Sequence, residues 1–201
     1  EGLHRFVDPA DGQAYTYSQF EVPDARRVYT TFEQPDLKST FTLTVKVPKG
    51  WKVFSNAPTP SPEEDGDAWT YRFATTETMS TYITAIVAGP YQGTTASLTS
   101  SDGRTIDLGV YARASIVEHL DAEEIIDITR RGFEFFESAY GIAYPFTKYD
   151  QIFVPEYNAG AMENAGCVTF RDAYVFRTRP TEAQMEARAN TILHELAHMW
   201  F

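Results

Sequence analysis

Phe41-Thr42-Leu43-Thr44-Val45-Lys46-Val47 alternates apolar and polar side chains in strict period two, and Pro48-Lys49-Gly50 then turns the chain. Successive side chains of a strand point to opposite faces, so this pattern predicts a strand with one face on a core. Trp69-Thr70-Tyr71-Arg72-Phe73 alternates in the same way. Thr81 to Ala88 predicts a further strand, ended by Gly89-Pro90, and Ile106 to Tyr111 one more. Pro58 to Asp67, rich in proline and acid, reads as a solvated loop, and Arg26-Arg27 as ion-paired surface.

Beyond about residue 113 the period lengthens. Ala122 to Tyr140 carries Ile125, Ile128, Phe133, Phe136 and Tyr140 on one broad stripe, which predicts a helix. Asp121 with Glu124 reads as its cap, and Gly141 as its left-handed stop. Tyr149 to Val154 and Gly166 to Phe170 read as strands. Thr181 with Gln184 predicts a capping box, and Ala183, Met185, Ala187, Ala189 and Leu193 continue a helix free of Pro and Gly as far as Phe201. Strands first and mixed elements afterwards predict an α+β, multidomain chain, with domains at 1–112 and 113–201.

Composition narrows the function classes. The 201 residues carry a net charge of -11, which repels phosphate backbones and argues against nucleic acid. No apolar run approaches the roughly 20 residues that span a bilayer. Acidity of this kind suits cytosolic solubility, so a cytoplasmic protein is expected. Cys167 is the single cysteine, which rules out an internal disulfide. The chain opens on Glu1 and not on Met, so it reads as an internal fragment, and a signal peptide on its parent stays open.

The chemistry sits in Thr191-Ile192-Leu193-His194-Glu195-Leu196-Ala197-His198-Met199-Trp200-Phe201, which contains H-E-x-x-H. Residues four apart share a helix face, so His194 and His198 can aim ring nitrogens at one zinc ion. Glu195 is placed to take a proton from metal-bound water. A buried histidine is often only hydrogen-bonded, but two at this spacing around a glutamate favour a metal. The apolar neighbours Ile192, Leu193, Leu196, Ala197, Met199 and Trp200 predict a core helix, with all three polar groups in low dielectric. Metzincins place a turning glycine three residues past the second histidine. Phe201 stands there instead, so the helix is expected to run on, with the third ligand coming from a later segment.

Gly160-Ala161-Met162-Glu163-Asn164 sets one carboxylate among small residues on a loop. In isolation it reads equally well as a turn with an exposed glutamate. Paired with His194-Glu195-Leu196-Ala197-His198 it resembles the M1 family of zinc aminopeptidases, of the aminopeptidase N type. Gln19-Phe20-Glu21 and Phe32-Glu33-Gln34-Pro35-Asp36, within Tyr17 to Pro48, are similar to that family's N-terminal domain. The resemblance covers nearly the whole chain.

It implies the closing part of an N-terminal antiparallel β domain, followed by the start of a thermolysin-like α/β catalytic domain. His194 and His198 would be zinc ligands, one zinc per chain in the parent, and Glu195 the general base acting on zinc-bound water. Glu163 would bind the substrate's α-ammonium, and Gly160 and Ala161 would line its backbone as an edge strand does. Gln19 and Glu21 would help hold the amine and form the first side-chain pocket, with Tyr17 and Met162 at its border and Asn164 beside Glu163. A buried cation needs paired carboxylates, which Glu163 and Glu21 can supply. The substrates implied are peptides with a free N-terminus.

The departure is one of extent. The family's third ligand, a glutamate, its transition-state tyrosine and its C-terminal helical domain all lie past Phe201, so the isolated chain is expected to be inactive. Two alternatives remain at this stage: an epoxide hydrolase on the same scaffold, and a non-catalytic peptide-binding module. The intact Glu195 argues against the second.

Overall fold

The computed structural model describes residues 2–201, which form two compact units: residues up to Tyr91 with Asn164–Cys167, and Gln92–Glu163 with Val168–Phe201. In the first unit β1 (Gly2–Val7), β2 (Ala14–Gln19), β3 (Thr44–Pro48), β4 (Lys52–Ser55), β5 (Glu63–Asp65), β6 (Ala68–Arg72) and β7 (Ile86–Gly89) build two sheets, ordered β1-β2-β7-β4 and β3-β6-β5. The pairings β1–β2, β2–β7, β4–β7, β3–β6 and β5–β6 are all antiparallel. Val47, Val53, Ala57, Tyr71, Phe73 and Ala88 form one buried cluster here. The inward side chains of the alternating strands thus supply the core, as their period requires.

Two segments differ from expectation. Thr81–Ile83 is a 3-10 turn, and the strand starts only at Ile86. The Thr84 hydroxyl donates to the Thr81 carbonyl at 2.8 Å, a local bond that competes with a sheet ladder. The acid-rich stretch is not wholly loop, because β5 pairs along β6. Its acids meet cations across the sheet: Glu63 with Arg72 at 3.1 Å, Glu64 with Lys49 at 3.0 Å, Asp65 with Lys46 at 2.7 Å. These pairs are exposed and individually weak, but they dress a sheet edge in charge, which discourages further pairing. Arg27 is ion-paired with Asp24, as expected of surface.

In the second unit β8 (Gln92–Thr99), β9 (Thr105–Ala112), β10 (Lys148–Val154), β11 (Ala161–Met162) and β12 (Cys167–Arg171) form one sheet in the order β11-β12-β10-β9-β8. β8 and β9 are an antiparallel hairpin, and β9 runs parallel to β10 from Asp107↔Lys148 to Tyr111↔Ile152. By packing, the chain passes from the first unit to the second between Tyr91 and Gln92. Ile106, Leu108, Val110 and Ala112 of β9 join the same core as Tyr149 and Phe153 of β10. The order of elements, an antiparallel β unit and then a mixed α/β unit, is the predicted one.

Helices α1 (Ala122–Tyr140) and α2 (Glu182–Ala197) contribute Ile125, Phe133, Ile192 and Leu196 to that core, each worth about 1.5–3 kcal/mol on burial. Helix α1 stops at Gly141, with φ 65°, as its sequence predicts. At its start Asp121 makes no side-chain capping bond; its carboxylate accepts instead from Arg188 of α2 at 2.9 Å. The two helices approach closely at Gly132. A Cβ there would fall 2.7 Å from the Cδ2 atoms of both Leu193 and Leu196, nearer than real contacts allow. Among the described residues no helix is long and apolar enough to cross a membrane.

Candidate active site

Helix α2 carries the histidine pair and is well founded at its start. The Thr181 backbone N–H donates to Gln184 Oε1 at 2.8 Å, and the Gln184 N–H donates to Thr181 Oγ1 at 3.3 Å, completing the predicted capping box. At the far end the winding tightens. His198–Trp200 is a 3-10 turn in place of the continued α-helix expected, and the Trp200 indole donates to the Ile142 carbonyl at 3.0 Å.

His194 Nε2 and His198 Nε2 lie 3.1 Å apart. Two imidazole nitrogens on one tetrahedral zinc, each about 2.0–2.1 Å from the ion, stand about 3.3 Å apart. The pair therefore fits a shared zinc ion with little adjustment. Among the described residues no group of three or more His, Cys, Asp or Glu side chains converges to complete a metal shell. Of the three polar groups expected in low dielectric, only Glu195 is buried, at 5% exposure; His194 is exposed and His198 half-buried. The stripe of core residues on α2 takes Glu195 inward with Ile192 and Leu196 and leaves His194 on the outer side.

One neighbour of Glu195 was not legible in the sequence. Tyr149 of β10 is fully buried, and its hydroxyl has no hydrogen-bond partner among the described residues. Burial first, and then the charge of Glu195, push its phenol well above the ordinary tyrosine range. Its alternation with Gln151 and Phe153 marks only a core face of a strand, which carries no hint of the H-E-x-x-H helix.

The second motif forms a hairpin. In β11 Ala161 pairs with Phe170 and Met162 with Thr169, while the Arg171 N–H donates to the Gly160 carbonyl at 3.0 Å. β11 is the edge strand of its sheet, so one side of its backbone is open to pairing. A Cβ on Gly160 would meet only the Tyr174 hydroxyl, at 3.6 Å. Met162 is fully buried. Glu163 follows the last paired residue, is half-buried, and has neither a cation nor a hydrogen-bond donor on its carboxylate among the described residues. An unpaired carboxylate of this kind suits a cationic ligand group.

The second unit thus holds His194, Glu195, His198, Gly160, Ala161, Met162 and Glu163. The other predicted residues belong to the first. Gln19 is buried at the end of β2 opposite Gly2, Glu21 is exposed in the turn that follows, and Asn164 is buried at the start of a turn.

An edge strand ending in an unpaired carboxylate, in the same unit as an H-E-x-x-H helix, describes a metallopeptidase type of site. Residues 124–201 match the Peptidase family M1 domain, and residues 1–83 the Peptidase M1 N-terminal domain. The chain belongs to the M1 peptidase family. It is 59% identical to aminopeptidase N of Streptomyces lividans over 201 residues, all of this chain and 23% of that protein. It is 35% identical to aminopeptidase N of Bos taurus, over 100% of this chain and 21% of that protein. Identity to probable aminopeptidase 1 of Saccharolobus solfataricus is 35%, over 98% and 24%. The chain thus spans about a quarter of the length of these relatives.

Proposed function

We propose that the full-length protein carrying this chain is a zinc aminopeptidase that removes the N-terminal residue of peptides. The observation that carries this reading is Glu163: a half-buried carboxylate without a partner among the described residues, at the end of an edge strand, in the unit that holds the histidine pair. The names of the relatives support it.

His194 and His198 would hold one zinc per chain, together with a ligand from elsewhere in the full-length protein. When bound, zinc supplies Lewis acidity to the scissile carbonyl and to the attacking water. Glu195 accepts the proton of that water and can pass it to the leaving amine. Its burial excludes bulk water from the proton it carries, and the backbone of α2 fixes its place beside His194. The free edge of β11 pairs with the substrate's backbone. Glu163 pairs with the α-ammonium, so that a chain with no free amine leaves this carboxylate unsatisfied. The isolated chain, holding two of the ligands, is expected to be inactive.

The test is kcat/KM for a free and an N-acetylated aminoacyl amide, with wild-type full-length protein and Glu163→Ala. The free substrate should lose about a hundred-fold, the scale of a truncated charge pair. The acetylated one should be poor throughout and little changed by the mutation. Equal losses on both would remove Glu163 from amine recognition.

A further inference from the structure

Tyr174 joins the two motif-bearing segments of the second unit. It ends the short 3-10 turn Asp172–Tyr174 that follows β12, and its side chain is half-buried. Its hydroxyl lies 3.1 Å from Thr191 Oγ1 of α2. The Thr191 hydroxyl donates its own hydrogen to the Ala187 carbonyl at 2.9 Å, so the phenol is the donor between the two. The main chain of Tyr174 is held separately. Its carbonyl accepts from Arg188 at 3.2 Å, and Asp172 at the start of the turn accepts from Arg113 at 2.9 Å. Fixed at the hydroxyl and at the backbone, this side chain is a rigid wall.

The wall stands where the two motifs meet. Thr191 lies three residues before His194, and residues three apart are neighbours on a helix surface. On the strand side, a Cβ on Gly160 would meet the phenol oxygen at 3.6 Å, an ordinary contact. The phenol therefore fills the gap between Gly160 and the histidine helix. Glu163 and Gly160 mark the two ends of the edge segment. A peptide whose ammonium pairs with Glu163 and whose backbone follows β11 runs back toward Gly160. Both backbones advance about 3.3 Å per residue, so the residue beyond the scissile bond comes alongside Ala161 and Gly160, in front of Tyr174.

We propose that Tyr174 limits the size of the substrate's second residue, the one that leaves with the new amino terminus. Its phenol occupies the space between Gly160 and α2 that a bulky second side chain requires. The inference rests on the reading of Glu163 given above, which sets the direction of the peptide. A misfit of one methylene in a pocket already changes kcat/KM by about ten-fold or more, so a fixed aromatic wall is a strong filter.

The experiment uses the full-length, zinc-loaded protein with Tyr174→Ala, Tyr174→Leu and Tyr174→Phe. Alanylglycine amide and alanyltryptophan amide share a first residue and differ in the second; alanine amide and leucine amide differ only in the first. Tyr174→Ala should raise the tryptophan-to-glycine ratio of kcat/KM by about ten-fold. Tyr174→Phe keeps the ring and should keep the wild-type ratio, and the alanine-to-leucine ratio should hold in every variant. The Arg188 bond is to the main chain and survives each substitution. Should Tyr174→Ala fail to fold, Tyr174→Leu is read in the same way. A purely structural role predicts parallel losses on both dipeptide amides, and that result, or a shift in the first-residue ratio instead, overturns the proposal. Glu163→Ala, assayed on alanylglycine amide and its N-acetylated form, tests the underlying reading by a different ratio. If acetylation ceases to matter there while the second-residue ratio stays fixed in the Tyr174 variants, only the size limit fails. If acetylation matters as much as in wild type, amine recognition by Glu163 fails, and the direction assigned to the peptide fails with it.

Discussion

Arg188 of α2 reaches the carboxylate of Asp121, the residue before α1, at 2.9 Å, although the two lie 67 positions apart. The same guanidinium pairs with Glu124, donates to the Tyr174 carbonyl at 3.2 Å and lies 4.6 Å over the ring of Phe176. Its side chain is 1% exposed, while those of Asp121 and Glu124 are 56% and 34% exposed. Breaking a buried pair costs about 3–5 kcal/mol, but here water can reach the two carboxylates left behind. Arg188→Met should therefore destabilise by about 2–3 kcal/mol and lower the Tm in a thermal unfolding scan. An unchanged Tm would show that the arginine is not the clasp between the helices.

Glu195→Gln in the full-length protein keeps the shape of the side chain and removes its proton acceptor. General-base catalysis contributes about 10²–10⁴ in rate, so kcat should fall at least that far. Metal analysis should find zinc still bound, because His194 and His198 are untouched. A zinc-loaded Gln variant with near-normal turnover would exclude Glu195 as the base.

Tyr111 offers a pH prediction away from the H-E-x-x-H helix. Burial, and then the charge of Asp150, raise its phenol from 10.0 to about 12. A raised folded-state value means that its contribution to stability is complete below pH 10 and is lost as pH climbs to about 12, where the unfolded chain ionises first. Denaturant midpoints followed from pH 9 upward should fall more steeply in wild type than in Tyr111→Phe. Parallel curves would mean that the phenol is not perturbed.

What the sequence disclosed was mostly local. The capping box at Thr181, the stop at Gly141 and the i, i+4 histidines each depend on neighbours within one or two turns, and each stands where its pattern predicts. Features set by distant partners were hidden. Asp121 looks like a cap because nothing nearby announces Arg188, and Thr81 to Ala85 looks like strand because β-branched residues serve turns as well. The alternation of Ile106 to Tyr111 marks a strand but carries no record of which sheet that strand joins. Only the parallel register with β10 decides that. Glu163 and Glu195 were legible as motif members, whereas the burial of Tyr149 near Glu195 depends on packing that no spacing rule reaches.

The bare Cα of Gly132 beneath Leu193 and Leu196 bears on those motif residues too. The leucines flank His194 and Glu195 in the chain, so the H-E-x-x-H turn of α2 rests on α1 through two side chains laid against bare main chain. A methyl group at position 132 would meet the tips of these two leucines first, and they must turn aside before the helix itself has to move. The spacing of His194 and His198 is set within α2 and would be untouched, so what such a variant tests is the packing under the pair and not the pair itself.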